Sequence, residues 1–152
     1  MNPKRAIVAL AVVATVAAIP VSQAAGAKGN KAHATFGKPL HIKSKGKKGT
    51  LKVTYRCDSG DTLWISAKQT KTGARDDVLK KEGSSKDAAT WLQSHSNPIK
   101  CDGQKRTKHF SVTKVEKGSK GKLRPGVAWV QFCITRNEKK LILSHSHWVE
   151  TR

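Results

Sequence analysis

Gly126-Val127-Ala128-Trp129-Val130-Gln131-Phe132-Cys133-Ile134-Thr135 contains the most apolar stretch of the chain beyond its N-terminal segment. Ala128, Val130, Phe132 and Ile134 fall on one face at the two-residue period of a strand, with Trp129 and Cys133 on the other. A strand that is apolar on both faces must be covered on both sides, so it belongs in the middle of a sheet. Residues 136–140 then turn, and residues 141–149 read as the last strand. Upstream, Leu51, Val53, Tyr55 and Cys57 alternate with Lys52, Thr54 and Arg56. The turn Asp58-Ser59-Gly60-Asp61 leads into residues 62–69, where Leu63, Ile65 and Ala67 share a side, and these two strands read as a hairpin. Residues 105–115 alternate through Phe110 and Val112. Residues 88–94, with Trp91 and Leu92, read as a strand, residues 40–42 as a short one, and residues 71–87 as a polar loop. About seven short strands without a long amphipathic helix predict an all-β sandwich or barrel.

The N-terminal segment carries a different signal. Lys4 and Arg5 precede an apolar and small-residue run over residues 6–21, Pro20 breaks any helix there, and Ser22-Gln23-Ala24 puts small residues at the −3 and −1 positions of a peptidase site. That run falls short of the roughly 20 strongly apolar residues a spanning helix needs. Residues 1–24 are therefore expected to be a signal peptide, the protein secreted to the extracellular side, and no membrane span left after cleavage. Residues 25–38 hold one large apolar residue, Phe36, and bury too little surface to offset their ordering entropy. They are expected to be a disordered basic arm, followed by one domain over residues 39–152 and a monomeric state.

Thirty Lys and Arg face ten Asp and Glu, a net charge of +20. Lysines concentrate in two clusters. Residues 28–56 hold nine basic residues with no carboxylate before Asp58, and residues 100–124 have Asp102 and Glu116 as their acids. Lysines spaced by glycines suit diffuse contact with a polyanion and lack the planar guanidinium fork of specific recognition. The candidate contact residues are Lys43, Lys45, Lys47, Lys48, Lys117, Lys120, Lys122 and Arg124. After export the expected partner is an anionic extracellular polymer or cell surface. The alternative is a secreted inhibitor or effector that grips a protein partner through residues 71–96, with Trp91 as anchor.

Three cysteines enter an oxidising compartment after export. Cys57 and Cys101 have similar surroundings, each at a strand end beside an Asp/Gly turn, and are expected to pair. Cys133 is left over as a small hydrophobe in a central strand. A pairing of Cys57 with Cys133 is the rival, reminiscent of an inter-sheet bridge, but Gln131 stands where such domains carry a tyrosine.

Tyr55-Arg56-Cys57, the turn Cys101-Asp102-Gly103 and the strand Gly126-Val127-Ala128-Trp129-Val130 together resemble a group of small exported actinobacterial proteins with an immunoglobulin-like domain. The resemblance covers about residues 50–149. It implies a single immunoglobulin-like antiparallel β-sandwich and no particular activity, while the third cysteine and the high lysine content depart from the group.

Chemistry-bearing constellations are sparse. His145 and His147, two apart on a strand, could ligate a metal with His95 or His109 as a third ligand, but half-exposed sheet histidines are the simpler reading. Asp58, Asp61 and Asp102 could gather around a cation, although turn stabilisation explains them. No Gly-x-Ser-x-Gly elbow is present, and a mid-strand Cys133 makes a poor nucleophile. The expectation is a non-enzymatic protein without a metal or cofactor. Trp64, Trp129 and Trp148 read as packing residues, and Trp91 as an exposed aromatic for a sugar or a partner.

Overall fold

A computed structural model describes residues 32–96, 98–115 and 117–152. The signal peptide expected over residues 1–24 and the first part of the basic arm lie outside them. Eight strands follow in order: β1 (His33–Phe36), β2 (His41–Lys43), β3 (Lys48–Arg56), β4 (Thr62–Gln69), β5 (Thr90–Ser96), β6 (Arg106–Thr113), β7 (Gly126–Arg136) and β8 (Lys140–Thr151). Short 3-10 turns at Ser44–Gly46 and Asp77–Lys80 interrupt the connections.

All eight strands belong to one antiparallel sheet of order β1-β3-β6-β5-β4-β7-β8, with β2 also pairing β3. The sheet is nearly a barrel. Leu40 N donates to Glu150 O (2.8 Å), Ile42 N to Arg152 O (2.8 Å) and Arg152 N to Leu40 O (3.2 Å), so the end of β8 meets the chain entering β2. On the other side, β5 and β6 touch through a single bridged pair, Gln93 with Thr113. Two strand blocks, β1/β2-β3-β6 and β5-β4-β7-β8, therefore face each other across one core.

Alternation dictates that core. Leu51, Val53 and Tyr55 of β3, Leu63, Ile65 and Ala67 of β4, and Ala128, Val130, Phe132 and Ile134 of β7 are buried. Phe132 sits at its centre, with the rings of Phe110 at 5.4 Å, Tyr55 at 6.0 Å and Phe36 at 6.4 Å. It thereby ties the two blocks together.

Two expectations need correction. The arm was expected to be disordered through Lys38, yet His33–Phe36 is β1, paired with β3 from His33↔Arg56 to Phe36↔Val53. Ala34 and Phe36 supply enough apolar contact to seat it, Ala34 in the core and Phe36 packed against it, which adds the eighth strand. Likewise β3 and β4 do not form a hairpin. β3 pairs with β1, β2 and β6, whereas β4 pairs with β5 and β7. Their turn carries the chain from one block to the other. Asp61 N donates to Thr135 O (3.0 Å) and Gly103 N to Cys57 O (2.9 Å), which seats the turn against both blocks.

The Cys57–Cys101 disulfide is present, as expected from the matching turns, with Cα atoms 4.8 Å apart. Cys133 is the free cysteine.

Candidate functional site

Two surfaces stand out, one basic and one aromatic. The basic surface forms where the lysine clusters meet. Lys43 ends β2, Lys45 lies in the 3-10 turn, Lys47 follows it and Lys48 opens β3. The β6–β7 connection carries Lys114, Lys117, Lys120, Lys122 and Arg124. Backbone hydrogen bonds dock the two loops: Leu123 N donates to Gly46 O (2.9 Å) and Lys114 N to Lys47 O (2.8 Å). Gly46 is required there. Its φ is +82°, and an added Cβ would collide with the Leu123 carbonyl oxygen. Gln69 fastens the far end, its amide donating to Arg124 O (2.8 Å) and accepting from Arg124 N (3.0 Å).

Lys43, Lys45, Lys47, Lys114, Lys117, Lys122 and Arg124 are exposed, and Lys48 is half-buried. Neither residues 38–56 nor residues 117–126 contain an Asp or Glu. Lys120 differs from its neighbours. Its backbone bridges Trp91 and its ammonium donates to Lys86 O (2.9 Å), so it braces the loop instead of extending into solvent. Lys114 was not among the sequence candidates, because only the docking of the loops brings it beside Lys47.

The aromatic surface is the outward face of β5-β4-β7-β8. Strand register aligns three rows across it: Trp91-Lys68-Trp129-Trp148, Gln93-Ser66-Gln131-Ser146 and His95-Trp64-Cys133-Ser144. All four tryptophans of the chain therefore share one face. Residues 70–89 fold over the first row. Leu79 and Ala88 pack with Trp148, Trp91, Val127 and Trp129. The Lys80 ammonium lies over the Trp129 ring at 5.9 Å and the Arg75 guanidinium over Trp148 at 5.4 Å. Lys68, 4% exposed, donates to Ser84 Oγ (3.0 Å), and burial pushes its ammonium below the usual lysine range.

Below that cover the face opens into two depressions. One, of about 480 Å³, is lined by Trp64, Lys68, Glu82, Trp91, Gln131 and Ser144 among others. The second, of about 410 Å³, is lined by Thr62, Trp64, His95, Thr135 and Glu138. Trp64 is common to both. Its indole N–H donates to Gln93 Oε1 (2.9 Å), and Gln93 Nε2 donates to Lys117 O (2.6 Å), which holds the ring in place. The buried Ser66 Oγ, Gln131 Oε1 and the indole nitrogens of Trp91, Trp129 and Trp148 have no protein hydrogen-bond partner. A buried polar atom left unpaired costs about 1–3 kcal/mol, and in the core beneath this face the Tyr55 hydroxyl is in the same position.

Trp91, read as a projecting anchor, is half-buried in this surface, with its ring close to Gly118. Residues 90–96 of the proposed partner-binding region are strand β5. Trp64 had been read as packing only. Its signal in the sequence was its place out of phase with Leu63 and Ile65, but nothing local shows that the face it joins stays open.

The remaining constellations do not assemble. His145 and His147 share the inner side of β8 with Phe132 and Val130, whereas His95 lies on the outer face opposite Trp64 and His109 in the other block. Among the described residues no group of His, Cys, Asp or Glu is placed to hold a metal. Asp61 accepts from Asn137 N (3.0 Å), and Asp102 pairs with Arg106 and Lys100, so these carboxylates stabilise turns. Burial raises the Cys133 thiol, opposed by its contact with Ser144 Oγ (3.6 Å), and this disfavours a thiolate.

His145 gives a pH prediction. Its ring packs edge-on against Phe36 at 4.6 Å, and burial, then repulsion from His147, lowers its pKa from 6.5. The unfolded chain takes up the proton first, so stability is lost as pH falls below about 6.5. Melting temperature should drop between pH 7.5 and pH 5, and less so in His145→Asn. An equal drop in both proteins would remove the assignment.

No family model matches the chain, and no curated protein matches it. Among solved structures it is similar to a β-glucosidase from Listeria innocua determined with isofagomine, at 11% identity and a TM-score of 0.31. The match covers 80% of this chain and 16% of that one, so this chain spans about a sixth of its length. A likeness this weak carries no argument about fold or activity. Among the described residues no helix is long and apolar enough to cross a membrane.

Proposed function

We propose that this is a secreted, non-enzymatic module that binds an anionic extracellular polymer or cell surface through its paired basic loops. The observation that carries the reading is the docking of residues 43–48 against residues 114–124, held by Leu123 N to Gly46 O and Lys114 N to Lys47 O. Two clusters far apart in sequence become one cationic end, and a polyanion meets both at once. The Cys57–Cys101 disulfide suits the oxidising side of the membrane. Strand order supports the finer fold assignment to an immunoglobulin-like sandwich: β1/β2-β3-β6 and β5-β4-β7-β8 match the A-B-E and C′-C-F-G layers of that architecture.

Retention on heparin and on isolated cell-wall material across a salt gradient tests the reading. Released counterions drive such binding. A contact through about six lysines to a polymer as highly charged as duplex DNA loses on the order of a thousandfold in affinity between about 50 and 200 mM salt. Changing Lys45, Lys47 and Lys48 to Gln should move elution to distinctly lower salt and flatten the salt dependence by about three units of slope. Retention unaffected by the triple change would reduce the charge to a solubility feature.

A further inference from the structure

We propose that the outward face of β5-β4-β7-β8 is a second, separate binding site, a groove for a neutral oligosaccharide, with Trp64 as its central stacking platform. Trp64 lines both depressions, so a ligand seated on it reaches into both, and each volume lies in the range of small-molecule sites. The ring is already fixed through Gln93 to Lys117 O, so a ligand that stacks on it does not have to order it.

The lining chooses the ligand. It alternates aromatic surface, Trp64 and Trp91, with groups that donate and accept hydrogen bonds, Gln131, Ser144, Thr62 and Thr135. A pyranose ring has the matching form, an apolar face and a rim of hydroxyls that both donate and accept. In a chain with thirty basic residues against ten acidic ones, charge is close to balance here: Glu82 lies with Lys68 and Lys80 in one depression, and Glu138 in the other. Ammonium groups donate to sugar hydroxyls and carboxylates accept from them, and Glu138 repels phosphate, sulfate and uronate groups. Two depressions that share one platform fit a chain of linked rings better than a single sugar.

The probes are β-1,4-linked hexamers of glucose and of N-acetylglucosamine, titrated into the mature protein at about 500 mM salt while tryptophan fluorescence is read. At that salt the Debye length is about 4 Å, and contact with the basic loops is suppressed. At least one hexamer should bind with millimolar or better affinity, and Trp64→Ala should weaken it about tenfold or more. Glu138→Gln, an exposed change that leaves the core intact, should weaken it several-fold. Lys45, Lys47 and Lys48 changed together to Gln should leave it unaltered. Absence of binding by both hexamers, or binding indifferent to Trp64→Ala and Glu138→Gln, would overturn the groove. Binding lost with the lysine changes would assign the sugar contact to the basic end and overturn it as well.

Discussion

Cys57→Ala combined with Cys101→Ala is expected to destabilise the fold by about 4 kcal/mol, lowering the melting temperature by roughly 10–20 °C. The bond joins residues separated by 44 positions and so closes a loop that includes all of β4 and β5. Cutting it restores to the unfolded chain the conformations that closure removes, and that entropy grows with loop length. The bond also joins the exit of β3 to the segment entering β6, two strands that pair along eight positions from Lys48↔Thr113 to Tyr55↔Arg106. A marginally stable domain of this size has only about 5–15 kcal/mol in hand, so the loss takes a large share of it. Chemical denaturation of the double variant, or of the wild type with and without reductant, checks the figure. A change under about 1 kcal/mol would mean that ladder pairing already constrains the loop in the unfolded ensemble.

Phe132→Ala is expected to cost about 3–5 kcal/mol, the range for removing a buried aromatic ring and leaving a cavity. Phe132 is fully buried, and its ring is the common neighbour of Phe36 from β1, Tyr55 from β3 and Phe110 from β6. The two blocks share few backbone hydrogen bonds at their β5–β6 border, where one bridged pair joins them. Side-chain packing therefore has to hold them together, and Phe132 is where that packing converges. Phe132→Leu, which keeps most of the volume, should cost distinctly less. Urea unfolding of both variants gives the comparison. Equal losses in the two would show that ring geometry matters more than filled space.

Much of the strand content was legible locally. The stretch from Ala128 to Ile134 announced a strand covered on both faces, and β7 lies between β4 and β8 with Trp129 packed against Trp148 on one side and Phe132 in the core on the other. The disulfide was legible because both turns carry the same Cys-Asp context. Pairing was less so. Two adjacent alternating strands joined by an Asp-Gly turn look like a hairpin, yet β3 and β4 lie in different blocks, because the choice of neighbour depends on which apolar faces must meet across the core. The seating of β1 depended likewise on Phe36 finding Phe132 and His145, contacts with residues about a hundred positions away.

Composition, charge and the all-β class were determined by the sequence alone, since each rests on residue identity or on a period of two, whereas the Cys57–Cys101 pair was expected from its matching turns and chosen over Cys57–Cys133 by the structure. The cationic end and the tryptophan face were decided only by the tertiary structure. Lys47 and Lys114 are 67 positions apart in the chain and adjacent in space, and four tryptophans scattered over residues 64–148 share a face through strand register. Register and loop docking are set by long-range packing, and a local pattern carries no record of them.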